Sequence, residues 1–178
     1  MKRRLSLRGR GVQLLSQREH SRQELRRKLL QHLRKLHSEA ESGVTEPAEP
    51  AEPAEPTEPI DADQQVDEVL TWLQDKGYFS EQRFVESRVH VREGRYGNLR
   101  IRQELAQHGV ALDADTTARL KDSELARAHE VWLRKFGAPA AEAAGRAKQM
   151  RFLSSRGFSP EVIRRVVKGG AEVEGDDG

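Results

Sequence analysis

The sequence predicts an all-α protein in which helix–turn–helix corners recur in tandem, and three observations carry that expectation. Helix-favouring Lys, Arg, Glu, Gln, Leu and Ala dominate, while β-branched runs of the kind strands use are missing. Hydrophobic residues make up 35% and aromatics 5% of 178 residues. Helices with narrow apolar stripes fit that composition better than a sandwich or barrel. Finally, one unit occurs three times: Leu73-Gln-Asp-Lys-Gly77-Tyr78, Leu105-Ala-Gln-His-Gly109-Val110 and Leu153-Ser-Ser-Arg-Gly157-Phe158. In each, Leu anchors a last helical turn, Gly takes the left-handed position after it, and the next apolar residue packs back.

Residues 1–11 read as a flexible basic arm, followed by a short helical cluster at Val12, Leu14 and Leu15. Ser21-Arg-Gln-Glu24 has the form of a capping box, in which hydroxyl and carboxylate satisfy each other's amides. Leu25, Leu29, Leu33 and Leu36 then share a stripe, running towards His37 with Gly43 as a stop. From Thr45 to Pro59 the chain is a Glu-Pro-Ala repeat, whose prolines block helix and sheet, so 44–63 is expected to be a disordered acidic linker. Val66, Val69, Leu70 and Leu73 restart the helical pattern up to Gly77. Ser80 caps a helix carrying Phe84, Val85 and Val89, and Gly94 and Gly97 bracket a basic turn. Leu99, Ile101 and Leu105 form the next helix, and Asp113 or Asp115 caps its successor. A separate helix with Leu125, Val131, Trp132, Leu133 and Phe136 ends at Gly137. Arg146 to Ser155 makes another, and Ser159-Pro160-Glu161 opens the last, with Val162, Ile163, Val166 and Val167 as its apolar face.

The net charge of +2 hides a segregation. Thirteen acids lie in two base-free stretches, nine from Glu39 to Asp63 and four after Lys168. Setting them aside leaves 16 acids against all 31 bases, an excess of 15. An excess of that size points to an anionic partner, nucleic acid first, against the alternative of solvated Arg-rich faces. There is no cysteine, no apolar run near the ~20 residues of a membrane span, and no signal core behind the basic start. A cytoplasmic address without membrane contact is expected.

Catalytic chemistry is not indicated. The six histidines show no ligand pairing at helical spacing and read as surface or cap residues. Phosphate-loop, dinucleotide and nucleophile-elbow patterns are missing. Asp61-Ala-Asp63 and Asp176-Asp177 read as solvated acidic runs. No catalytic residue, metal or cofactor is therefore expected. The informative residues are basic: Arg92, Arg95, Arg100 and Arg102 around the second corner, with Tyr96, and Arg146, Lys148, Arg151, Arg156, Arg164, Arg165 and Lys168 around the third. Arg suits phosphate through its fork of donors, while Tyr96 either stacks on a base or, the preferred reading, anchors the turn.

Arg18-Glu-His-Ser-Arg-Gln-Glu-Leu25, Gly77-Tyr-Phe-Ser-Glu-Gln-Arg-Phe84, Arg95-Tyr-Gly-Asn-Leu-Arg-Ile-Arg-Gln-Glu-Leu105 and Arg151-Phe-Leu-Ser-Ser-Arg-Gly-Phe-Ser-Pro-Glu-Val-Ile163 resemble, in order, the signature blocks of the RecX family, regulators of the recombinase RecA. The resemblance runs from about Val12 to Lys168. It implies an elongated tandem array of three three-helix repeats: 12–88 with the linker inserted, 84–121, and 122–168 ahead of an acidic tail at 169–178. It also implies binding to the RecA–single-stranded-DNA filament, restraint of strand exchange, ATPase and coprotease activity, and a role in DNA repair and the SOS response. In the family the first repeat's second helix closes soon after Lys28-Leu29-Leu30; here it runs on.

Three function classes follow. A filament regulator predicts salt-sensitive binding to recombinase-coated DNA. A stand-alone helix-turn-helix regulator requires sequence preference on duplex DNA and usually a dimer, whereas the sequence has no dimerisation heptads and a monomer is expected. A protein-only adaptor would bind regardless of salt. The acidic linker is either a passive spacer or an internal competitor for the basic repeats.

Overall fold

The computed structural model describes residues 5–41 and 61–169, with side chains over 5–38 and 61–168. The start of the arm, Gly43, the Glu-Pro-Ala repeat and the acidic tail lie outside the described residues. Among the described residues the chain forms eight α-helices and no strand. It divides into two compact units between Phe84 and Val85.

The first unit holds α1 (Leu7–Leu15), α2 (Arg22–Glu41) and α3 (Ala62–Asp75), which pack on one another. Their shared core is Leu14, Leu25, Leu29, Leu33, Val66, Val69, Leu70, Leu73 and Phe79, the stripes expected of α2 and α3. The expected arm is helical from Leu7 on. Ser6 caps α1 by accepting from the Gly9 amide at 3.2 Å, and Gly11 packs so tightly that an added Cβ would sit 2.6 Å from Leu73. Within the expected flexible arm, Gly11 is thus a packing contact.

The expected linker border at 63 also moves. Asp61 is the N-cap of α3, and Asp63 pairs with Arg26 at 2.7 Å while Asp67 takes the same guanidinium at 3.1 Å. Acids opposite an arginine on α2 become part of the helix start instead of a solvated run.

Half of the capping box forms. Ser21 Oγ accepts from the Glu24 amide at 3.1 Å, but the Glu24 carboxylate is taken by Arg18 and by Lys28. His20, expected as a surface or cap residue, is buried at 1% exposure. Its Nδ1 lies 2.9 Å from the Arg18 carbonyl and its Nε2 lies 3.0 Å from Lys28 Nζ. Because Nε2 must accept from the ammonium, Nδ1 carries the proton and the ring is neutral.

Burial lowers the His20 pKa from 6.5. Burial alone would raise Glu24, but hydrogen bonds from Arg18 and Lys28 hold it at about 2. The unfolded chain protonates His20 first, so its contribution is complete above 6.5 and declines as pH falls through that value. The Glu24 contribution is complete above 4.5 and is lost as pH falls towards 2. The protection factors of α2 amides, each taken against the unfolded-chain exchange rate at the same pH, should therefore fall in two stages on acidification. His20→Gln should remove the upper stage and leave the lower one.

The second unit holds most of α4 (Glu81–Glu93), then α5 (Asn98–Gln107), α6 (Ala114–Phe136), α7 (Ala143–Ser155) and α8 (Pro160–Gly169). Asp113 caps α6 by accepting from the Thr116 amide. The two helices expected between 113 and 137 are one continuous 23-residue helix, so the expected border at 121/122 falls inside it. Its core joins Ala128, Val131 and Trp132 to Leu153, Phe158, Ile163, Val166 and Val167.

All three corners have the same hydrogen bonding. Gly77, Gly109 and Gly157 have φ of 72°, 72° and 81°. Tyr78, Val110 and Phe158 amides reach back to Leu73, Leu105 and Leu153 carbonyls at 2.9, 3.1 and 3.3 Å, and each Gly amide bonds one residue further on. This is a Schellman ending. The apolar residue after Gly packs back as expected at Val110 and Phe158, but Tyr78 is 48% exposed and Phe79 fills that place. Of the apolar residues named on α5, Ile101 and Leu105 are buried and Leu99 is 48% exposed.

Candidate nucleic-acid interface

The turn between α4 and α5 lies directly on the third corner. Gly97 N donates to the Arg156 carbonyl at 2.9 Å, and Leu99 N donates to the Gly157 carbonyl at 3.1 Å. Only glycines permit this approach: a Cβ on Gly97 would sit 2.2 Å from the Gly157 oxygen.

A buried carboxylate from α6 locks the contact. Glu124 Oε1 accepts from the Asn98 amide at 3.0 Å and the Ser159 amide at 3.3 Å, and Oε2 accepts from Ser159 Oγ at 3.0 Å. One side chain thus caps the starts of α5 and α8, where helix dipoles favour negative charge. Ser159 was expected to cap α8 itself; its hydroxyl donates to Glu124. One turn along α6, Arg127 donates to the carbonyls of Glu93, Tyr96 and Leu120 and to Asn98 Oδ1. Burial lowers the Arg127 pKa, opposed by the charges of Glu124 and Glu93.

Three guanidiniums gather over the Tyr96 ring: Arg100 at 4.7 Å, Arg156 at 5.5 Å and Arg92 at 5.9 Å from its centre. Arg156 also lies 5.1 Å from the Phe152 ring centre. These four sequence candidates are brought together. Arg92 is committed to Glu104, through hydrogen bonds of 2.8–3.0 Å that raise its pKa. Arg146 turns back on the carbonyls of Ala140 and Ala141. Arg102, Lys148, Arg151, Arg164, Arg165 and Lys168 stand exposed on α5, α7 and α8.

Beside the Tyr96 group is an open cleft of about 360 Å³ lined by Arg95, Arg134, Lys135 and Arg156 over Val131 and Phe152. Arg134 and Lys135 escaped the sequence reading, as did Arg127 and Glu124. The available signals were the basic pair closing α6 before Gly137, and an acid on an otherwise apolar stripe, Leu120-Glu124-Ala128 at i, i+4.

The family model described as RecX, second three-helix domain, matches residues 80–114, and that described as RecX, third three-helix domain, matches 122–167. The Regulatory protein RecX of Ralstonia nicotianae is 43% identical over 98% of this chain and 93% of its own. Those of Leptothrix cholodnii and Pseudomonas putida are 42% and 35% identical, over 92% and 93% of this chain and 88% and 91% of theirs. The chain belongs to the RecX family. It is a regulatory protein of that family, all-helical, with RecX three-helix domains. No helix among its described residues is long and apolar enough to cross a membrane. In family terms, the turn carrying Tyr96 lies in the second RecX domain, and Glu124, Arg127, Arg156 and Ser159 lie in the third. The buried carboxylate therefore ties one RecX domain to the next.

Proposed function

We propose that this RecX protein binds the RecA filament assembled on single-stranded DNA, in the cytoplasm, and restrains its ATP hydrolysis, strand exchange and coprotease activity in DNA repair. The observation that carries the reading is the convergence of Arg95, Arg100 and Arg156 at the Tyr96 turn, none of them in an ion pair among the described residues. Cations left without carboxylates remain available to phosphate, and the guanidiniums of Arg100 and Arg156, held against the Tyr96 ring, give up little freedom on binding. The relatives' names supply the regulatory role.

RecA ATPase on single-stranded DNA, measured against added protein, tests the reading. Suppression is expected, and Arg100→Glu with Arg156→Glu should raise the protein needed for half-suppression by about ten-fold, in line with the loss of two phosphate contacts. An ATPase untouched by the unaltered protein at low salt rules the reading out.

A further inference from the structure

We infer that the cleft between the ends of α4 and α6 and the third corner is a preformed site for phosphate groups, and that Arg134 and Lys135 supply half of its charge. The inference rests on the reading that the second unit meets nucleic acid, and it extends that reading to a part of α6 outside the Tyr96 turn.

Four cations line the cleft and no carboxylate does. Two other arginines of the same unit are instead neutralised by neighbours, Arg92 by Glu104 and Arg119 by Glu93, at 2.8–2.9 Å. Two of the cleft cations are also held in place. Arg156 lies against the rings of Tyr96 and Phe152, and its backbone carbonyl is fixed by Gly97. Arg134 donates to the Gly94 carbonyl at 2.7 Å. Arg134 and Lys135 both sit in the last turn of α6, where the helix dipole stabilises cations. The floor of Val131 and Phe152 is apolar, which reduces screening above it. Guanidinium forks held apart and left without anions match a row of phosphate oxygens better than a single carboxylate. The shared chemistry is phosphate, from a single strand or from a free nucleotide.

The test uses the full-length protein and a fluorescein-labelled oligo(dT), without recombinase. Replacing Arg134 and Lys135 by Ala should weaken binding by about ten-fold and reduce the slope of log K against log salt by roughly 1.4, at ~0.7 per single-strand phosphate contact. Both side chains are exposed, and Lys135→Glu alone, which leaves the Arg134–Gly94 hydrogen bond in place, should show the same direction with unchanged melting. Displacement of the oligonucleotide by ATP at similar phosphate concentration assigns the site to free nucleotide, and resistance to ATP assigns it to the strand. Unchanged affinity and salt slope in both variants overturns the inference. A wild-type protein that binds oligo(dT) through these residues but leaves RecA ATPase untouched would leave this site standing and remove the filament reading instead.

Discussion

Glu124→Ala should destabilise the second unit by about 3–5 kcal/mol, the usual cost of leaving partners of a buried charge unsatisfied. The residue is 4% exposed, so water cannot replace what is lost. Its removal orphans the amides of Asn98 and Ser159 and the Ser159 hydroxyl together. It also takes away a carboxylate that favours the charge of Arg127. Glu124→Gln keeps the shape and an acceptor but loses the charge at two helix starts, and should cost about 1–2 kcal/mol. Urea unfolding followed by circular dichroism measures both. An Ala variant as stable as the Gln variant would mean that the carboxylate is not what joins α5 to α8.

Gly97→Ala should be as damaging for a different reason. The new methyl would lie 2.2–2.3 Å from the Gly157 carbonyl and the Phe158 amide, backbone atoms with no rotamer to yield. The turn would have to lift off the third corner and lose the Gly97–Arg156 and Leu99–Gly157 hydrogen bonds. A loss of about 3 kcal/mol or more is expected, comparable to severe overpacking, together with dispersal of Arg100 and Arg156 from Tyr96. Gly137→Ala is the control. It is left-handed, with φ of 73°, where Gly97 has a φ of −79° that any residue adopts, but its Cβ would meet nothing within 4 Å. It should cost only about 1 kcal/mol and leave oligonucleotide binding unaltered. A loss in Gly97→Ala no larger than that in Gly137→Ala would show that the close approach does not exclude a side chain at Gly97.

Most of the helices were legible because they are written in local patterns. The Leu-x-x-x-Gly endings specify their own hydrogen bonds, and the stripes of α2 and α3 lie at helical spacing. Arg92 and Arg100 beside Tyr96 were visible as a composition around one turn, whereas Arg156 reaches the ring from the third corner. What was not legible depends on distant neighbours. Glu124 is an ordinary acid in a charged helix until Asn98 and Ser159 arrive from 26 and 35 residues away. His20 looks like any histidine beside a cap until Lys28 covers it. The start of α1 lies inside the expected basic arm, because nothing local to residues 7–11 shows that Gly11 packs against Leu73. Asp63 was assigned to a solvated run because its partner, Arg26, lies across the acidic segment.

The contact of Gly97 with the third corner has a consequence for how such a chain can change over generations. It fixes the number of residues between two points of the backbone. Inserting one residue in α6 would turn everything after it by about 100° and advance it about 1.5 Å, so Glu124 could no longer reach both helix starts. Length variation is therefore expected to be excluded from 97–159 and admitted between α2 and α3. That is where this chain carries its Glu-Pro-Ala repeat.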